Sequence, residues 1–308
     1  MNFFKDKIRV ATHNGSFHAD EVFALATLSL WAEAEGKVLE IARTRDEAEI
    51  AKAQIVVDVG MQYDPEKGRF DHHQKGGAGE HTNGVPYASF GLVWKQYGEE
   101  LCGLETADYI EQKLVLPIDA RDNGINISKD LIEGVKEYTS IDLLYSFRPT
   151  WQDPIEKMEQ NFKEYLEVAK KILSNEIRIS KSTLVGEKIV KEEIKMQSDS
   201  PILILDEDLP WERVVIPYKG IKLVIYPRPR ANQFFAEVTR DDLTDYKSNR
   251  AQFPNNWRGL RGGELEEISG VKGAVFCHRG GFLAVANSRE GALQMAQMAL
   301  QEQDTGVK

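Results

Sequence analysis

Hydrophobic and polar positions alternate with different periods along the chain, and the first change of period comes early. Residues 8–12 are a short β-prone run that gives way to the polar, glycine-containing stretch His13-Asn14-Gly15-Ser16-Phe17-His18-Ala19-Asp20, which predicts a strand ending in a loop. Asp20 and Glu21 then open an apolar segment with Val22, Phe23, Leu25, Leu28, Leu30 and Trp31, hydrophobic nearly all round and stopping near Gly36. Such a helix must be buried on most sides. A second strand is predicted at 38–42, a short helix at 46–53 and a third strand at 54–60, whose continuous apolar run suits a parallel sheet covered on both faces. Short strands alternating with helices predict an α/β sheet built by right-handed crossovers, with functional loops at the carboxyl ends of the strands. Further helices are expected at 86–98, 105–118 and 129–145, and 76–86 (GGAGEHTNGVP) reads as a mobile loop rich in turn residues.

Beyond Pro154, apolar residues recur at Met158, Phe162, Tyr165, Leu166, Ala169, Ile172, Leu173 and Ile177, a helical stripe flanked by Pro149 and Pro154 before and by Thr183-Leu184-Val185-Gly186 after. This connecting helix is the natural boundary between a first domain, 1–180, and a second, 181–308. The second changes character. Short β-rich runs at 202–205, 213–217, 221–226 and 234–239 precede a Gly-rich stretch and a terminal helix at 289–301, which together predict a smaller α+β domain.

With 308 residues, 42% hydrophobic and 29% charged, the chain is globular in composition and long enough for two domains. Its formal net charge of −10 argues against attraction of nucleic acid by the whole surface, although a local basic groove or a metal in an acidic cleft can still receive a phosphorylated substrate. Two cysteines, Cys102 and Cys277, form neither a disulfide framework nor a zinc-type pair, so a reducing cytoplasm fits best. The start MNFFKDKIRV has no long apolar core, and no stretch approaches the roughly 20 apolar residues of a membrane helix. Neither export nor a membrane partner is expected.

The sharpest chemical signal is a set of imidazoles and carboxylates at predicted strand ends. His13, His18 and Asp20 follow the first strand, Asp58 ends the third, and Asp71-His72-His73 follows a turn at 63–68. Any one of these alone reads as an ordinary loop or capping residue. Together they are a mixed donor set suited to Mn²⁺, Fe²⁺, Co²⁺ or Zn²⁺, and a carboxylate shared by two ions permits the metal pair used in phosphoryl transfer.

The triplet Asp71-His72-His73, with Asp58 and the 13–20 loop before it, resembles the DHH phosphoesterase superfamily. The strings THNGSFHADE, RTRD, VVDVG, YDP, RFDHHQ, DARDNG, WRGLRGGEL and SREGALQMAQMAL are similar to the melanocyte proliferating gene (Myg) family, and these matches run from about residue 9 to 300. The resemblance implies a parallel-sheet DHH-like catalytic domain joined by a long helix to a smaller α+β accessory domain. It also implies a divalent-metal-dependent phosphodiesterase, a 3′–5′ exonuclease on RNA or short oligonucleotides. Mn²⁺ is the first metal expected, with Mg²⁺, Co²⁺ or Zn²⁺ as alternatives and one or two ions bound. The metal set so implied is His13, His18, Asp20, Asp58, His72 and, of the two aspartates in Asp119-Ala120-Arg121-Asp122, Asp119. Asp71 bridges ions or orients His72, and His73 faces the scissile phosphate. His18 stands where the superfamily motif has an acid, which softens the site.

Arg43, Arg45 and Arg121 are candidate phosphate clamps, because a guanidinium fork matches phosphate oxygens. In the second domain Arg258, Arg261, His278 and Arg279 accompany glycines that allow close approach to a phosphate; the resemblance implies substrate binding there, in a cleft between the lobes. Trp257 and Phe282 read as core or as base-stacking groups, with core preferred, and Ser89 as a helix cap or a phosphate contact, with the cap preferred. The cysteines read as buried apolar residues, not nucleophiles. Two rivals stay open: hydrolysis of pyrophosphate or a cyclic dinucleotide, and a non-catalytic metal- or nucleotide-binding protein. A homo-oligomer is also allowed.

Overall fold

The computed structural model describes residues 6–129, 132–245 and 247–304. It is a mixed α/β chain with two five-stranded sheets, and it divides after Lys181 into two compact units. Among the described residues no helix is long and apolar enough to cross a membrane.

In the first unit, β1 (Lys7–Thr12) leads through its loop into α1 (Ala19–Ala34), followed by β2 (Val38–Arg43), α2 (Glu47–Ala51), β3 (Ile55–Val57), β4 (Tyr63–Asp64) and β5 (Arg69–Phe70). The sheet order is β2-β1-β3-β5-β4; the first three pairings are parallel and β4 closes the edge antiparallel. Val10 and Val57 are fully buried, as their continuous apolar runs require. Glu21 starts α1 by accepting the His18 backbone N–H through both carboxylate oxygens, at 2.7 and 2.8 Å. The helix is buried nearly all round and meets α3 (Ser89–Cys102) through Phe23 and Phe90, ring centroids 5.5 Å apart.

α3 starts three residues later and ends four later than the sequence suggests, because Gly98 lets Trp94 fold over its backbone and the turn comes only at Gly103, with φ +83°. The helix expected at 105–118 runs on to 122 as α4 (Leu104–Ile110), a wider turn over Glu111–Val115, and α5 (Leu116–Asp122). Pro117 has no N–H for the residue 113 carbonyl; the helix widens, and Leu116 N–H bonds Glu111 instead. The helix expected at 129–145 is α6 (Ser140–Phe147) alone, since Thr139 and Asp142 form a capping box that fixes its start and Gly134 upstream has φ +78°. Residues 130 and 131 of that span lie outside the described residues.

α7 (Lys157–Met196) passes straight through the segment read as its end. Gly186 is there for packing: a Cβ on it would stand 2.5 Å from Pro210 Cδ. In the second unit β6 (Ile202–Ile204), α8 (Glu212–Val215), β7 (Leu223–Arg228), β8 (Gln233–Val238), α9 (Gly262–Ser269), β9 (Ala274–Cys277), β10 (Leu283–Ala286) and α10 (Arg289–Asp304) follow. The sheet order is β6-β7-β8-β10-β9. One core joins this sheet to α9 and α10 through Leu265, Met295 and Ala299, and another joins it to Val190 and Ile194 of α7 and Val214 of α8. The run at 213–217, expected as a strand, is helical because Arg250 donates to the carbonyls of Val215, Ile216, Tyr218 and Ile221 and so closes that turn. Its β-propensity yields to a capped end.

Candidate metal centre

β1, β3 and β5 run side by side and deliver the 13–18 loop, Asp58 and Asp71-His72-His73 to the same end of the sheet. α1 adds Asp20 and Glu21 from its first turn, and α5 adds Asp122 from its last. Asp58 sits at the centre with φ +56°, a left-handed backbone that costs a non-glycine residue about 1 kcal/mol and turns its carboxylate across the strand ends.

His13 Nε2 stands 3.2 Å from Glu21 Oε1 and 3.2 Å from Asp58 Oδ2. His72 Nε2 stands 3.4 Å from Asp58 Oδ1, 3.3 Å from Asp122 Oδ2 and 3.9 Å from Asp20 Oδ2. Despite these short separations His13 Nε2, His72 Nε2 and both Asp20 carboxylate oxygens are buried without a hydrogen-bond partner. Buried polar atoms left in that state cost free energy. Ligand atoms held at roughly 2.0–2.2 Å from one ion stand about 3–3.5 Å from one another, so the spacings fit donors around a cation better than hydrogen-bonded pairs. The His13 ring is already set for this: Nδ1 faces the Asn14 carbonyl at 3.1 Å, and with the proton there Nε2 is the lone-pair nitrogen.

The residues able to hold an ion form three overlapping groups: His13, His18, Glu21 and Asp58; Asp58, His72 and His73; and His18, Asp20 and Asp122. Asp58 and His18 each belong to two of them. The groups around Asp58 are fixed in turn. Ser89 Oγ donates to Asp58 Oδ1 at 3.0 Å, so the hydroxyl neither caps α3 nor lies free for phosphate. Asp71 Oδ2 accepts the Met61 N–H at 2.6 Å and Oδ1 accepts the His73 N–H at 3.0 Å, with His73 Nδ1 2.9 Å away. Asp71 therefore orients His73, not His72.

Electrostatics follow the same geometry. Burial lowers the pKa of His13, but Asp58 and Glu21 outweigh it and carry the ring up to about 10. His72 is likewise lowered by burial and carried up to about 10 by Asp122 and Asp58. Burial raises Asp58, but His13 and His72 hold it far below the usual carboxylate range; Asp20 is pushed well above that range by burial and then by Asp58, Asp122 and Glu21. In the metal-free chain both imidazoles thus carry protons at neutral pH, and an entering cation must displace them. Mn²⁺ affinity is expected to rise steadily from pH 6.5 to 8. Calorimetry in buffers of different ionisation enthalpy should register proton release on binding, and a pH-independent affinity without released protons would contradict it.

Asp119 does not join the cluster. Its Oδ2 lies 2.9 Å from His81 Nε2 and its Oδ1 accepts the Gly91 N–H at 3.0 Å. Asp122 is the aspartate of that pair beside the histidines. His81, which sequence reading placed in a mobile loop, is buried; burial lowers its pKa, but Asp119 and Glu111 outweigh this and raise it. Glu21 and Arg148 also escaped the sequence reading: Glu21 looked like a helix-start acid, and Arg148, which donates to the Phe17 carbonyl, follows the cluster by many residues.

Arg43 is committed elsewhere, donating to Gly15 O and Glu159 and lying 4.2 Å from the Phe162 ring centroid. Arg45 is exposed beside the cluster, and Arg121 lies on its other side, donating to Asn126 and Ser128. In the second unit Arg258 is pinned by the Phe253 carbonyl and Gln252; Arg261 lies over the Phe276 ring, and His278 packs on Phe282 with Nδ1 accepting the Gly280 N–H. Arg279 is exposed. Trp257 is core, stacked on Phe253, and burial raises both thiols to about 11, against a thiolate nucleophile.

A family model, MYG1_exonuc, described as an uncharacterised protein family (UPF0160), matches residues 9–300. The MYG1 exonuclease of Mus musculus is 31% identical over 335 residues, covering 97% of this chain and 86% of its own length. That of Homo sapiens is 31% identical over 95% of this chain and 85% of its own, and the MYG1 protein of Chlamydia trachomatis is 29% identical over 96% and 97%.

Proposed function

This chain belongs to the MYG1_exonuc family, and from that premise we propose that it is a divalent-metal-dependent phosphodiesterase that removes nucleotides from the 3′ end of RNA or short oligonucleotides. In this reading the first unit is the DHH-like catalytic domain and the second an accessory one, whose exposed Arg261 and Arg279 bind phosphate. The observation that carries it is the convergence of His13 Nε2, His72 Nε2 and the Asp20 carboxylate, buried and unpartnered, around Asp58. The names of the mouse and human relatives support a nuclease over other phosphohydrolases.

His13, His18, Asp20, Glu21, Asp58, His72 and Asp122 would hold the metal, and Asp58 belongs to two of the candidate donor groups. A bound divalent ion, Mn²⁺ first among Mg²⁺, Co²⁺ and Zn²⁺, supplies Lewis acidity toward water and toward the phosphate oxygens. The chain's own groups do the remainder. Ser89 fixes the Asp58 carboxylate, and Asp71 fixes the His73 ring, leaving His73 Nε2 to hold a proton at the leaving oxygen. Arg45 and Arg121 lie on opposite sides of the cluster, placed to neutralise phosphates flanking the scissile one.

Chelation followed by dialysis is expected to abolish cleavage of a 5′-labelled oligoribonucleotide, and added Mn²⁺ to restore a ladder shortened one nucleotide at a time. Pyrophosphate and a cyclic dinucleotide run in parallel. Turnover of either one with the RNA intact replaces the proposed substrate, and metal binding without any turnover leaves a binding protein.

A further inference from the structure

Two hollows flank the same three residues. His18, Asp58 and His73 line a cavity of about 290 Å³ on the α5–α6 side and another of about 310 Å³ on the side of Arg45 and Met61. The metal-binding end is thus the wall between two compartments, and both lie within the first unit. The α5–α6 compartment differs from a bare ion site on one side of its lining: Ile118, Ile141, Leu144 and Tyr145 are apolar there, beside the charged and imidazole groups His18, Asp58, His73, Arg121, Asp122 and Arg148.

Tyr145 is 52% exposed. The Arg148 guanidinium lies 4.4 Å from its ring centroid, and Arg148 is itself anchored by donating from Nε and Nη2 to the Phe17 carbonyl, in the loop that carries His13 and His18. The ring is therefore held in place by a cation tied to the metal-binding loop, with much of its surface open. A fixed aromatic ring with a guanidinium against it is a platform for a planar, π-rich group, and stacking on such a platform contributes about 1–3 kcal/mol per nucleobase.

Resting on the phosphodiesterase reading, we propose that the Tyr145–Arg148 pair is the nucleobase platform of the site: the terminal nucleoside occupies the α5–α6 compartment with its base on Tyr145, and its phosphate meets the His18, Asp58 and His73 wall. The compartment is near the roughly 300 Å³ lower end of small-molecule sites, room for one nucleotide and no more. Ile118, Ile141 and Leu144 offer no side-chain hydrogen bond with which to read a base edge, and Arg121 is engaged with Asn126 and Ser128. Recognition on that apolar side is by stacking, which every base can supply.

The test is direct binding to the Mn²⁺-loaded full chain, by calorimetry, of adenosine, cytidine and uridine 5′-monophosphates and of ribose 5-phosphate, which lacks the base. The wild type should bind each nucleotide at least about 5-fold more tightly than ribose 5-phosphate, the lower end of one stacked base. Tyr145→Ala should bring the nucleotides to the ribose 5-phosphate level without changing the latter, and Tyr145→Phe should keep the preference. Equal binding of nucleotide and sugar phosphate by the wild type, or a preference that survives Tyr145→Ala, overturns the platform. Because the readout is binding, it stands apart from the substrate reading: a nucleotide preference lost in Tyr145→Ala by a chain that cleaves no RNA would retire the exonuclease and keep the platform. Thermal melting confirms that each variant is folded, as expected for a half-exposed side chain.

Discussion

Asp58→Asn is expected to remove metal binding and to lower kcat by about 10³-fold or more, the largest loss for any single substitution in the site. The side chain nearly keeps its volume and can still accept the Ser89 hydrogen bond at its carbonyl oxygen. What disappears is one negative charge shared by two of the three donor groups and facing both His13 and His72. Asparagine is also the right probe for the backbone. Asp58 has φ +56°, and asparagine tolerates the left-handed region as well as aspartate does, so the loss cannot be assigned to strain. Alanine would add that strain and confuse the reading. Metal content by atomic emission, circular dichroism and turnover on a labelled oligoribonucleotide decide the matter together. A folded Asp58→Asn protein that retains stoichiometric Mn²⁺ and wild-type turnover would remove Asp58 from the site.

How far the site was legible in the sequence depends on the kind of element that carries each residue. His13, His18, Asp20, Asp58 and His72 could be grouped because each lies at the end of a strand, or at the start of the helix after one, and parallel strands bring their carboxyl ends together whatever the side chains are. Asp119 and Asp122 could not be separated in that way. Positions i and i+3 of a helix differ by only about 60° around its axis, so both point broadly to one side and the choice turns on depth along the helix. That depth is set by His81, which arrives from a Gly-rich loop with no period to betray it and takes Asp119 for itself. Arg43 illustrates the converse: a cation two residues from Arg45 is spent on Gly15 and Glu159, and only the packing of the 13–18 loop reveals it. The two sheets follow the same division. Runs such as 54–60 and 221–226 are visible because they are apolar and β-branched, while β9 and β10 are four-residue strands joined across Gly280 and Gly281, too short to raise a pattern.

The neighbouring aspartates of α5 should therefore separate cleanly under mutation. Asp122→Asn is expected to weaken Mn²⁺ binding at least about 10-fold and kcat by about 10²-fold, since it withdraws a charged donor from the group it forms with His18 and Asp20. Its effect on the metal-free fold should be small: the side chain is 20% exposed, and the lost interaction with protonated His72 is offset by relief of buried Asp20, which the Asp122 charge pushes toward its neutral form. Asp119→Ala should do the reverse. It leaves His81 Nε2 and the Gly91 N–H, both inside the first unit, without the acceptor that now holds them, and removing one partner of a buried pair costs about 3 kcal/mol or more. For a unit of this size that is a fall in Tm of roughly 6–12 °C. Residual Mn²⁺ affinity, measured well below the lowered Tm, should stay near the wild-type value because no cation donor has been lost. Melting curves with and without Mn²⁺ read both effects in one experiment: wild type and Asp119→Ala should gain stability from the metal, and Asp122→Asn should gain little. If Asp119→Ala loses the metal-dependent gain while Asp122→Asn keeps it, the ligand on α5 is Asp119, and the helix must turn on binding to present it.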